Sequence, residues 1–186
     1  MGTRIALVSC VKSKCAVASP ARELYTSQLF RRLRAYAEAH ADAWYILSAE
    51  HGVLRPDDVI APYEKTLTTM PKRDRVAWAG RVQPQLLEIL PSGAEVILLA
   101  GSRYREGIEF FLREHGFSVS TPMEGLGIGK QLQWLNRAAN RFEQRGGRAE
   151  RDQHGNRREI AQPMPAKRQH LQKGLHTPPS SVSRRR

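Results

Sequence analysis

Trp44-Tyr45-Ile46-Leu47-Ser48-Ala49-Glu50-His51-Gly52 is an apolar run that ends in a polar, glycine-closed tip. From Ala43 to Leu47 no polar residue alternates with the apolar ones. A short continuous run of this kind reads as a strand buried on both faces, as in a parallel sheet. Ligands of open parallel sheets sit beyond the carboxyl ends of the strands, and Ser48, Glu50 and His51 fall at that end. Three other segments have the same shape: Ile5-Ala6-Leu7-Val8 into Ser9-Cys10, Val96-Ile97-Leu98-Leu99 into Gly101-Ser102, and a weaker Phe117-Ser118-Val119 into Pro122.

Helical patterns separate these runs. Leu29, Phe30, Leu33, Tyr36 and Ala37 recur at helical spacing before His40, with Arg31, Arg32 and Arg34 on the other side. A second helix starts near Pro71 and runs to Leu90, with Pro84 expected to kink or interrupt it. A third spans Tyr104 to His115, where Gly116 stops it. A last helix runs from Lys130 to about Gln144. Strands alternating with helices predict an α/β fold: a three-layer α/β/α arrangement around a four-stranded, mostly parallel sheet in the order 2-1-3-4. Residues 50–69 are expected to form one long loop carrying Pro56, Pro62 and Tyr63.

The 186 residues suffice for one domain and a tail. Hydrophobic residues make up 40% of them, and no apolar run approaches the roughly 20 residues of a membrane span. No signal peptide is read at the N-terminus. Cys10 and Cys15 lie on one predicted loop, which argues against a disulfide framework and for a reducing cytoplasm. The formal charge of +12 is unevenly placed. Residues 1–143 hold 19 Lys and Arg against 15 Asp and Glu, and residues 144–186 hold 11 against 3. The α/β domain is therefore expected over 1–143, with a disordered basic tail over 144–186. That tail is either simply solvated or a non-specific tether for a polyanion.

Ser9-Cys10-Val11-Lys12-Ser13-Lys14 leaves the first strand with two lysines and several backbone N–H groups, which suits phosphate or another oxyanion. Cys10 is a nucleophile if those lysines favour its thiolate, and otherwise a small buried strand-end residue. Ser48, Glu50 and His51 offer a hydroxyl, a carboxylate and an imidazole for general acid–base work. The alternative is that they cap a turn permitted by Gly52. Tyr63 stacks on a base or packs its loop down. Gly101 and Ser102 open the third helix, with Ser102 either an anion ligand or an N-cap. Gly125-Leu126-Gly127-Ile128-Gly129-Lys130-Gln131 fails the P-loop pattern in spacing, in Gln131 and in chain position, yet Gly129 and Lys130 stand at a helix start that could take an anion. No metal spacing is present, and neither a metal nor a cofactor is expected.

The motifs Cys10-x-Lys12-x-Lys14, Leu24-Tyr25-x-Ser27-x-x-Phe30, Leu47-Ser48-Ala49-x-x-Gly52, Pro62-Tyr63 and Gly125-x-x-Ile128-Gly129 together resemble an uncharacterised bacterial and phage domain family over residues 4–140. That family is distantly similar to a domain of archaeosine synthase, a tRNA-modification enzyme, and more remotely to the uracil-DNA glycosylase fold. The resemblance implies an enzyme acting on nucleotides or nucleic acid. The expected base- or substrate-binding residues are Tyr25, Gly52, Tyr63 and Gly125. Uracil-DNA glycosylases place an Asp-bearing motif after the first strand, where Ser9-Cys10-Val11-Lys12 stands here, and their late His-Pro-Ser motif is missing. Their catalytic Asp and His are not carried over. Hydrolysis or exchange of an N-glycosidic bond by Glu50 or His51 is the expected activity; a non-catalytic nucleotide- or nucleic-acid-binding module and a Cys10-dependent hydrolase or transferase are the rivals.

Overall fold

A computed structural model describes residues 2–155. Met1–Ala149 form one compact unit, and of Glu150–Arg186 only the end of the last helix is described. The strands are β1 (Arg4–Ser9), β2 (Ser19–Pro20), β3 (Ala43–Ser48), β4 (Gly52–Leu54), β5 (Val59–Ile60), β6 (Glu95–Leu99) and β7 (Ser118–Ser120). The helices are α1 (Ala21–Leu24), α2 (Gln28–His40), α3 (Lys72–Ile89), α4 (Ser102–Arg105), α5 (Glu109–Glu114) and α6 (Ile128–Gly155).

The main sheet has five strands in the order β4-β3-β1-β6-β7. Its four parallel members keep the neighbours expected from the sequence, but the count of four is wrong. β4 adds an antiparallel edge strand, Ile46 facing Leu54 and Ser48 facing Gly52. Gly52 makes the tight return from β3 possible because its φ of 80° lies in the left-handed region. The expected long loop is thus broken by β4 and by a small ribbon in which β5 pairs antiparallel with β2.

Chain direction explains the layering. The chain passes from β1 to β3 on one side, then from β3 across to β6 and on to β7. Right-handed crossovers send helices of opposite travel to opposite faces. The Tyr36 ring of α2 meets Trp134 of α6 at 5.0 Å between centroids. On the other side, Gly107 packs so closely on α3 that a Cβ there would run into Ala79. Between these layers Ala6, Leu7, Val8, Ile46, Leu47, Val96 and Leu99 are sealed from solvent.

The helix boundaries also differ from expectation. Ser27 caps α2, its hydroxyl accepting Phe30 N–H at 3.1 Å. Pro84 does not interrupt α3. The expected third helix is two short ones, α4 and α5, separated around Gly107. Ser102 is not an N-cap: it is the first residue of α4, and Gly101 holds the cap position without a side-chain bond. α6 begins at Ile128 and continues beyond Gln144 to Gly155, with no proline to stop it, although it includes Gly146 and Gly147, which disfavour helix. The rest of the expected tail, 156–186, lies outside the described residues.

Candidate functional site

Parallel register brings the polar tips to one edge. Ser9 pairs with Leu47, and Val8 with Leu99. One step further along each strand come Cys10, Ser48 and Ala100-Gly101. Cys10 N–H extends the ladder by donating to Leu47 C=O at 3.0 Å.

Ser48 organises this edge from complete burial. Its Oγ accepts Glu50 N–H at 3.2 Å and His51 N–H at 3.0 Å. A serine hydroxyl has two acceptor lone pairs and one proton, so that proton points to Tyr63 Oη, 2.8 Å away. Tyr63 Oη also lies 2.8 Å from Tyr25 Oη. The Ser48 carbonyl is bound by the Trp78 indole N–H at 2.9 Å. The turn that displays Glu50 and His51 is therefore fixed from beneath by one hydroxyl and from α3 by one indole.

Cys10 adds a thiol to the same group, 3.0 Å from Tyr104 Oη. Burial first, and then the electrostatic influence of nearby Cys10, pushes the hydroxyls of Tyr25, Tyr63 and Tyr104 well above tyrosine's ordinary range. All three remain protonated hydrogen-bonding groups at neutral pH.

The lysine loop reaches this cluster through Lys14. Backbone bonds from Cys15 N–H to Leu24 C=O at 2.8 Å and from Thr26 N–H to Ser13 C=O at 3.0 Å hold the loop against Tyr25. Lys14 Nζ then stands 4.2 Å from the Tyr63 ring centroid, a cation–π contact. The exposed His51 ring meets the Tyr63 ring edge-on at 5.3 Å. One face of Tyr63 thus carries a cation already. Glu50 turns toward α3 and its preceding loop: its carboxylate pairs with Lys65 at 3.2 Å, and its carbonyl accepts Arg81 Nη2–H at 3.1 Å.

Of the residues expected at the site, Cys10, Lys14, Tyr25, Ser48, Glu50, His51, Gly52 and Tyr63 come together, and Ser9 is buried at the end of β1 beside them. Lys12 is exposed on the same loop, its carbonyl accepting from Lys14 Nζ at 3.3 Å. Gly101 joins only through its carbonyl, which accepts Tyr104 N–H at 3.0 Å. Among the described residues no hydrogen bond connects the side chain of Ser102 or Lys130, or the backbone of Gly125 or Gly129, to the cluster. Gly125 instead sits at a φ of 71° in the turn before α6, and Gly129 and Lys130 are exposed in that helix's first turn. Four residues escaped the sequence reading: Trp78, Tyr104, Lys65 and Arg81. Only Tyr104 had a local signal, since it follows a strand-end Gly-Ser.

Two hollows lie near this edge. One, of about 260 Å³, is lined by Ala49, Lys65, Met70, Asp74, Ala77, Trp78 and Arg81. The other, of about 550 Å³, begins at Ser102 and runs along α4 and α5 past Arg105 and Arg113. Along it Arg105 pairs with Glu109 and Glu124, and Arg113 with Glu109. The smaller hollow adjoins Glu50 and is the better candidate for chemistry. Among the described residues no group of three His, Cys, Asp or Glu could hold a metal, and no helix is long and apolar enough to cross a membrane.

Comparisons with known proteins find relatives of unknown function. The uncharacterized protein YfjM of Bacillus subtilis (strain 168) is 33% identical over 144 residues, which cover 73% of this chain and 94% of the relative. No solved structure matches the chain. A family model described as a family of unknown function (DUF6884) matches residues 5–137, and the chain belongs to that family.

Proposed function

We propose that the carboxyl edge of the sheet is the site of a cytoplasmic enzyme that hydrolyses or exchanges the N-glycosidic bond of a nucleotide or a nucleic-acid residue. The observation that carries the reading is the Ser48 hydroxyl pinning the amides of both Glu50 and His51, which presents a carboxylate and an imidazole on one fixed turn. In hydrolysis, Glu50 takes a proton from water as its oxygen bonds to the sugar's anomeric carbon. The glycosidic electron pair leaves with the base, and His51 supplies that base with a proton. In exchange, an incoming base replaces water. Lys12 and Lys14 add positive charge at the rim, and Tyr63 offers an aromatic wall. The family's distant similarity to a domain of archaeosine synthase, and its remoter one to the uracil-DNA glycosylase fold, supports the reading at the level of fold and substrate class. The basic C-terminal segment would add salt-dependent affinity for nucleic acid.

The test is base release from a panel of nucleosides, nucleotides, DNA and RNA. Glu50→Gln and His51→Asn should each lower turnover by about 100-fold, within the range of general acid–base catalysis, with binding little changed. Unaltered turnover in both variants would refute the reading. The second reading is a non-catalytic binding module, favoured by the ion pair that engages the Glu50 carboxylate with Lys65. It predicts binding without base release from any member of the panel. Loss of residues 156–186 should weaken nucleic-acid binding and leave free nucleotides unaffected.

A further inference from the structure

We infer that the hollow between α3 and the 63–70 loop is a nucleotide subsite in which Lys65 and Arg81 hold the phosphate of a nucleoside monophosphate. The inference rests on the proposed reading of the carboxyl edge as a nucleotide site, and supplies the phosphate contacts that the lysine loop was expected to make.

Asp74, Ala77, Trp78 and Arg81 share one face of α3, and Met70, two residues before the helix, completes the wall. Trp78 is 3% exposed and its indole N–H is already committed to Ser48. It therefore offers the hollow an apolar surface, with Met70 and Ala77 beside it. The two cations are not free arms. Each is anchored on Glu50, Lys65 on the carboxylate and Arg81 on the carbonyl. An ammonium has three donors and a guanidinium five, so both keep donors for a second oxyanion. Asp74, on the same wall, is an acceptor for a sugar hydroxyl or a base amine. A doubly charged phosphate is the group that two anchored cations suit best, and a flat base suits the apolar wall.

Volume decides between a free nucleotide and a strand. About 260 Å³ is just below the usual range for small-molecule sites, which is room for one nucleotide and not for a run of them. Lys12 and Lys14 line no part of the hollow.

The test titrates the full-length chain with AMP, GMP, CMP and UMP, with the matching nucleosides, and with a short single-stranded oligonucleotide, by calorimetry. At least one monophosphate should bind with a Kd below about 1 mM. Lys65→Met and Arg81→Met should each weaken it by about tenfold or more, as expected for a lost charge-assisted contact, while Arg31→Met, on the exposed surface of α2, changes it by less than about threefold. The nucleoside should bind at least about tenfold more weakly than its monophosphate. In the unaltered chain, the bound monophosphate should protect Lys65 from acetylation, a readout that does not depend on how any variant folds. No monophosphate bound below that concentration, equal binding of nucleoside and monophosphate, unprotected Lys65, or a loss at Arg31→Met equal to that at Lys65→Met would each overturn the subsite. The two readings fail separately. A monophosphate that binds through Lys65 and Arg81 but is never cleaved sinks the hydrolytic reading alone. Base release whose KM ignores both variants sinks the subsite alone.

Discussion

Ser48→Ala removes the hydroxyl on which the site turn rests. All three bonding capacities of that hydroxyl are in use: two backbone amides donate to it, and its proton goes to Tyr63. The costs differ by partner. Glu50 is half-buried and His51 exposed, so water can replace the serine at their amides. Each lost bond there should cost about 1 kcal/mol. Tyr63 Oη keeps Tyr25 as a partner, which holds its share to a similar size. The total is about 2–4 kcal/mol, a large part of the ~5–15 kcal/mol that holds a typical domain. For a domain of this length it lowers Tm by roughly 5–15 °C. Urea denaturation followed by circular dichroism measures the first figure. Amide hydrogen exchange measures what is specific: Glu50 and His51 amides should lose protection in Ser48→Ala and keep it in Tyr63→Phe, because the latter leaves Oγ in place. A Ser48→Ala chain within about 0.5 kcal/mol of wild type, or one whose Glu50 and His51 amides stay protected, would show that this hydroxyl does not fix the turn.

Gly52→Ala should cost about 2–3 kcal/mol, from left-handed backbone strain and from a Cβ that collides with Gln85 Oε1, the acceptor of Val53 N–H at 2.9 Å. In a Gln85→Ala background only the backbone part, about 1–2 kcal/mol, should remain; equal costs in both backgrounds would contradict the collision. Stability should fall as the pH rises above about 10. Tyr25, Tyr63 and Tyr104 have folded-state values raised by burial and by Cys10, so the unfolded chain loses their protons first. Each contributes up to about 1.4 kcal/mol per pH unit to the fall; Tyr25→Phe and Tyr104→Phe should flatten denaturation midpoints measured from pH 9 to 11.5, and a wild-type profile already flat there would contradict the burial argument. Iodoacetamide on the native protein should modify Cys15, which is half-buried, and reach the buried Cys10 only after unfolding; peptide mass spectra showing both modified together would contradict this.

The strands were legible because the parallel sheet is buried on both sides, which forces unbroken apolar runs at Ile5–Val8, Ala43–Leu47 and Val96–Leu99. β4 was not, since Gly52-Val53-Leu54 is too short for a pattern and its pairing follows from a backbone angle at one glycine. Pro84 removes one backbone donor within α3, a local loss that the packing of Trp78, Val82 and Leu86 outweighs. Gly107 breaks the expected third helix for a reason that lies in another element, its contact with Ala79. The site divides the same way. Ser48, Glu50 and His51 sit together at a strand end and could be read in sequence. Tyr104 beside Cys10, and Trp78 beneath Ser48, are joined across 94 and 30 residues, where no spacing rule reaches. The glycine loop near Gly125 drew attention by composition, yet it serves the start of α6, with Gln131 N–H bound to Gly127 C=O at 2.9 Å.

Gln85 gives the sheet's β4 margin a further property. By filling the outward amide of Val53, it removes the donor that another molecule's strand would need to lengthen the sheet. With only three residues on that margin, little else remains to recruit a neighbour. Solutions of Gln85 variants should therefore turn cloudy at concentrations the parent chain tolerates, with fibre-like material to follow, even where the folded state is scarcely weakened.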